Sequence, residues 1–252
     1  MNNLPFKQAE YRQFQNTFLA STVVEMTFKP VEEDKSYTKE WDKFTRALFS
    51  IDSINGLFQK TIIVNRSDNR ITFIFDKDRV QVKISGDGYR NYSDSLLPHA
   101  YKLKEFINDV VKSKKAVKLG VRKIDIFQID TEKDTPSLEA DVRGHFLSEK
   151  YLKLKDNRMD LDGDELEMPN MVKHHWVEDA YQLTLRSVFL NVPNKTKSYR
   201  LILDTEEQYA PVEGLELVNL DIELKKMNSD LFNVFMGCIS DNVIKIMENG
   251  TE

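Results

Sequence analysis

A chain of 252 residues can form one large domain or two small ones, and can bury a sizeable core without disulfides or metals. Acidic residues outnumber basic ones by 41 to 36, and the net charge of −5 gives no global attraction to nucleic acid or anionic membrane. The single cysteine, Cys238, cannot form an internal disulfide, Met1–Lys7 lacks the pattern of a signal peptide, and no apolar run is long enough to span a bilayer, so a cytoplasmic location is expected.

Thr22–Lys29 is rich in β-branched and aromatic residues and reads as a strand. Thr38 can cap a helix with Trp41, Phe44, Leu48 and Ile51 on one face. Three strands follow: Thr61–Val64, then Ile71, Phe73 and Phe75 in alternation, then Val80, Val82 and Ile84. Ser93-Asp94-Ser95 offers caps for a helix striped by Leu96, Leu103, Phe106, Ile107, Val110 and Val111. Val117–Ile129 reads as a strand with a mixed pattern.

The polar run 131–136 breaks periodicity near the middle of the chain. It separates an expected N-terminal half, residues 1–130, from a C-terminal half, residues 137–252. In the second half, strands are expected from about Trp176 to Val192, from Tyr199 to Leu203 and from Leu215 to Leu224. A final helix from about Ser229 buries Leu231, Val234, Phe235, Cys238, Ile239 and Ile246. The predicted class is α+β: two packed halves, each with antiparallel strands and at least one long amphipathic helix.

Several motifs carry less chemistry than they suggest. In Asp160-Leu161-Asp162-Gly163-Asp164-Glu165, a calcium loop with Gly163 sixth would begin at the cation Arg158 and end at Pro169, which has no ligating side chain. A tight turn is the simpler reading, and no metal or other cofactor is expected. His174 and His175 are adjacent, so on a strand they point to opposite faces and cannot chelate one ion together, while His99 and His145 are isolated. Cys238 reads as a small core hydrophobe. Gly86-Asp87-Gly88 lacks the Lys and third Gly of a phosphate loop, and Asp87 would repel a phosphate.

The sizeable basic cluster is Lys112, Lys114, Lys115, Lys118, Arg122 and Lys123, at a helix end and the start of the next strand. It either complements the helix dipole or contacts an anion or nucleic acid, with Tyr89 and Tyr92 as candidate stacking planes.

Val23-Val24-Glu25, Val80-Gln81-Val82-Lys83, Tyr89-x-x-Tyr92, Gly120–Ile124, Leu220-Asp221-Ile222 and the last helix with Phe232 or Phe235 occur in an order that carries a resemblance. The chain resembles a sporadically distributed family of bacterial and archaeal proteins of roughly 250 residues, uncharacterised and of unknown function. The family transfers no activity, and its scattered distribution implies an accessory gene of the phage-defence or toxin–antitoxin type. With no catalytic signature, the leading expectation is a non-catalytic binding or regulatory protein that recognises a partner protein. Nucleic-acid or nucleotide binding through Lys112–Lys123 comes second, and homo-oligomerisation is left open.

Overall fold

The structure, a computed structural model, describes residues 6, 8–9, 14, 17–31, 35–48, 54–58, 61–65, 70–130, 138–154, 171–192 and 197–249, with backbone alone for 35, 48, 54–58 and 61–65. It is α+β. In chain order it forms β1 (Leu19–Thr27), α1 (Lys35–Leu48), β2 (Ile54–Phe58), β3 (Thr61–Asn65), β4 (Ile71–Phe75), β5 (Arg79–Ser85), α2 (Leu97–Phe106) and β6 (Lys115–Ala116). There follow β7 (Lys118–Asp130), α3 (Leu138–Phe146), α4 (Glu149–Leu152), β8 (Met171–Glu178), β9 (Tyr181–Asn191), β10 (Ser198–Tyr209), β11 (Leu215–Glu216), α5 (Leu220–Cys238) and α6 (Asp241–Asn249). Two compact units emerge, one of residues 21–122 and 207–228, the other of residues 1–20, 123–206 and 229–252. The run 131–136 lies outside the described residues.

In the 21–122 unit the strand order is β2-β3-β4-β5-β1-β7. The pairs β2–β3, β3–β4, β4–β5 and β5–β1 are antiparallel. The alternation read from sequence holds: Ile71, Phe73, Phe75, Val80, Val82 and Ile84 are all buried. Phe75 carries much of this core, with the Phe106 ring of α2 at 4.7 Å and the Phe44 ring of α1 at 5.9 Å. The chain enters α2 through a wide turn, Tyr92–Leu96, capped by Asn91, whose side chain accepts the Asp94 N–H at 2.7 Å. The expected cap lay two residues later; the amide of Asn91 fills the role. Beyond α2 the chain continues as a second wide turn, Ile107–Val111, which Lys112 ends in the left-handed conformation, φ 59°. The Lys112 N–H and that of Ser113 both reach Ile107 O, which closes the helix as a Schellman-type turn.

Leu215–Leu224 is not a strand. Only Leu215–Glu216 pairs, with β6, and α5 begins at Leu220. Alternation at Leu220, Ile222 and Leu224 overlaps the helical spacing Leu220, Leu224, Met227 and Leu231; these four are buried, whereas Ile222 is 66% exposed.

In the 123–206 unit the order is β7-β10-β9-β8. The expected single strand from Trp176 to Val192 is a hairpin, because Asp179 turns the chain at φ 52° between β8 and β9. Aspartate is one of the few residues that tolerate this conformation. Leu183, Leu185, Leu201 and Leu203 are buried in this unit, as are Leu231, Val234 and Cys238 of α5. The final helix breaks at Ile239–Ser240, and α6 follows. Sequence periodicity missed α3 and α4. Ser187 of β9 holds both: its Oγ accepts from Arg143 of α3 at 2.9 Å and from the Tyr151 hydroxyl of α4 at 2.8 Å.

Phe6 is an N-terminal anchor of the same unit. Its ring meets Trp176 edge-on at 6.2 Å, and Lys150 Nζ lies 5.5 Å from its centroid. It rests on Gly237, where an added Cβ would come within 2.2 Å of the ring. Three residues on, the Ala9 N–H donates to Asn233 Oδ1 at 2.9 Å. The buried ring, the aromatic pair and the hydrogen bond contribute about 3–6 kcal/mol.

Candidate functional site

Where α2 ends and β6 begins, the 21–122 unit forms an open groove of about 690 Å³. One wall is Lys29-Pro30-Val31, beyond the end of β1; another is the turn Pro211–Gly214. Each wall exists for a local reason. Gly214, at φ 77°, turns the chain into β11, and a Cβ there would come within 3.0 Å of Ala116 O. Val117 hangs from Thr27 O by its N–H at 2.7 Å, which fixes β6 beside the end of β1. Val117 and Val212 line the groove; Val117 is 46% exposed and Val212 is fully exposed. Apolar walls with a few cations describe a surface that would gain by burial against another molecule.

The basic cluster is only partly assembled. Lys112 and Lys114 flank Ser113, which lines the groove, and Lys115 lines it directly. Lys115 is engaged within the protein: its Nζ pairs with Glu216 at 2.9 Å and donates to Glu213 O at 3.2 Å. The Glu216 hydrogen bond and charge raise its pKa. Lys118, Gly120 and Arg122 alternate along β7 with the buried Leu119 and Val121, and Lys123 falls on the buried side. Its ammonium is desolvated, which pulls its pKa down to about 8, with Asp125 opposing the shift. The pleat therefore separates Arg122 from Lys123. Lys123 instead joins Asp125, whose carboxyl burial pushes up to about 7 against the attraction of Lys123.

Tyr89 and Tyr92 brace α5. The Tyr89 hydroxyl donates to Asn228 Oδ1 at 3.2 Å, and that of Tyr92 to Asp221 Oδ1 at 2.5 Å. Burial and the Asp221 carboxylate raise the Tyr92 phenol well above its ordinary range.

His174 is buried against Tyr151 and Trp176, whereas His175 faces the other way and bonds Thr184 Oγ1 at 3.0 Å. Gly86–Gly88 is a single tight turn in which Ser85 and Arg70 hold the Asp87 carboxylate. Cys238 is buried, and desolvation followed by the nearby Asp125 charge raises its thiol pKa. The Asp160–Glu165 run lies outside the described residues. Among the described residues no group of three or more His, Cys, Asp or Glu could hold a metal ion, and no helix is long and apolar enough to cross a membrane.

Sequence reasoning missed the groove itself. Lys29, Val117 and Val212 lie far apart in the chain, and each reads as an ordinary loop or strand residue. The available signal was Pro211-Val212-Glu213-Gly214, a turn carrying an apolar side chain at its tip.

No protein-family model and no curated protein matches the chain. Among solved structures it is similar to Methanococcus jannaschii TBP, at 10% identity and a TM-score of 0.28, covering 86% of this chain and 96% of that one. It is also similar to a structure of KH domains, at 8% identity and a TM-score of 0.18, covering 89% of this chain and 63% of that one. Similarities this distant carry no functional argument.

Proposed function

We propose that this chain is a non-catalytic cytosolic binding protein whose groove beside β6 and β11 receives a segment of a partner protein. It would serve as an accessory component of the kind the family resemblance implies. The observation that carries the reading is the pair Val117 and Val212, exposed side chains on the lining of one groove. Apolar side chains clustered in a concavity are the usual core of a protein-binding site, with polar groups at its rim. Lys29 supplies such a rim, and the Lys115–Glu216 pair holds β6 and β11 together beneath it.

The nucleic-acid reading is weakened because Lys115 is paired with Glu216 and Lys123 lies on the opposite face of β7 from Lys118 and Arg122. The test is affinity purification from the native host with the wild type, a Val117→Asp/Val212→Asp variant and a Lys112→Glu/Lys114→Glu variant. Loss of one co-purifying protein in the valine variant, at unchanged Tm, supports the proposal. Co-purifying nucleic acid lost only in the lysine variant would replace it with the second reading.

A further inference from the structure

The seat of Phe6 has more specification than an anchoring contact requires. Its floor is Gly237, inside a helix, where glycine is disfavoured relative to every residue but proline. Its walls are the Trp176 ring and the Lys150 ammonium, which complement the edge and face of an aromatic ring. One helical turn before Gly237, Asn233 presents its amide oxygen on the same face of α5 and accepts the backbone N–H of Ala9. A socket for one side chain beside a fixed acceptor for the main chain is how extended peptides are read.

We propose that Gly237, Asn233, Trp176 and Lys150 form a peptide-recognition site for an aromatic residue followed, three positions on, by a backbone N–H. Phe6 and the Ala9 N–H occupy it in cis, and the same two groups of a second copy occupy it in trans when they leave. Exchange of an identical element between protomers needs no new contact, because the segment carries its own complementarity. The site lies in the 123–206 unit and is independent of the groove.

Two substitutions separate its halves. Phe6→Ala empties the socket and leaves its walls intact. Gly237→Ala fills the socket and evicts the segment, while alanine strengthens the helix. In a Trp41→Phe background Trp176 is the sole reporter. Sedimentation of each variant alone should give monomer, and an equimolar mixture should give a heterodimer, with the segment of the Gly237→Ala chain seated in the Phe6→Ala chain. A synthetic peptide of residues 1–16 should shift Trp176 emission of the Phe6→Ala chain. It should bind at least about tenfold more weakly to the wild type, where the cis segment leaves only a fraction of sockets open. Adding Asn233→Ala should weaken peptide binding by about tenfold, the net worth of one hydrogen bond.

Equal peptide binding to the wild type, Phe6→Ala and Gly237→Ala chains would overturn the proposal. So would folded variants that neither associate nor bind peptide. Should Phe6→Ala fail to fold, Gly237→Ala decides alone: unchanged Trp176 emission and no gain in exchange of the Ala9 amide refute the site.

Discussion

Asp125 and Lys123 place two charges on the buried face of β7, and removing them in turn should expose their cost. Moving a carboxyl from its ordinary 3.8 to about 7 corresponds to about 4 kcal/mol, at about 1.4 kcal/mol per pH unit. The folded protein holds this proton more tightly than the unfolded chain. Stability from this group is therefore greatest below pH 3.8 and falls as pH rises to about 7. Lys123 acts at the other end of the scale. Its pKa is lowered from 10.5 to about 8, so its penalty is present in full below pH 8 and disappears as pH rises to 10.5. At pH 7.5 Lys123→Met takes away the attraction that opposes the burial of Asp125, so that carboxyl should titrate higher and the loss of stability with rising pH should run on above pH 7. The double variant Lys123→Met/Asp125→Leu should recover that loss or exceed the wild type by about 1–4 kcal/mol. Urea unfolding at pH 5, 7 and 9 measures all three. A double variant with the wild-type slope between pH 5 and 7, or a Lys123→Met chain with the wild-type pH profile, would refute the pairing.

Three further outcomes follow from the packing. Cys238, buried and with its thiol pKa raised, should react slowly with a thiol reagent in the folded protein and quickly in denaturant; Cys238→Ser should lower stability by about 1–3 kcal/mol in urea unfolding. Phe75→Ala should cost about 3–5 kcal/mol in the same assay, since it leaves the Phe106 and Phe44 rings facing a cavity. Lys112→Gly should raise Tm by relieving the left-handed backbone, a gain of up to about 1 kcal/mol after glycine's greater freedom in the unfolded chain, whereas Lys112→Val should lower it.

What could be read from the sequence was whatever repeats with the period of its own element. Ile71, Phe73, Phe75 and Val80, Val82, Ile84 declare a two-residue period and are buried as a set. Cys238 falls in helical step with Leu231, Val234 and Phe235 and is buried with them. Leu220 to Leu224 was ambiguous because spacings of two and four share their end points, and only the exposure of Ile222 separates strand from helix. The basic cluster is divided for a different reason. Nearness in sequence says nothing about a pleat that turns Arg122 and Lys123 apart, or about Glu216, which captures Lys115 from about a hundred residues away. The groove and the Phe6 socket are long-range constructions. Gly237 alone hinted at the socket, as a glycine in an otherwise apolar helical pattern that marks a close approach.

The central proposal is the groove beside β6 and β11 as a protein-docking surface. A photo-crosslinking residue placed at Val212 in the native host, with a second at the exposed Val218 as control, tests it directly. The prediction is one protein crosslinked from position 212, absent from position 218 and lost when Val117→Asp is added; equal labelling from both positions, or crosslinks to nucleic acid alone, would contradict it.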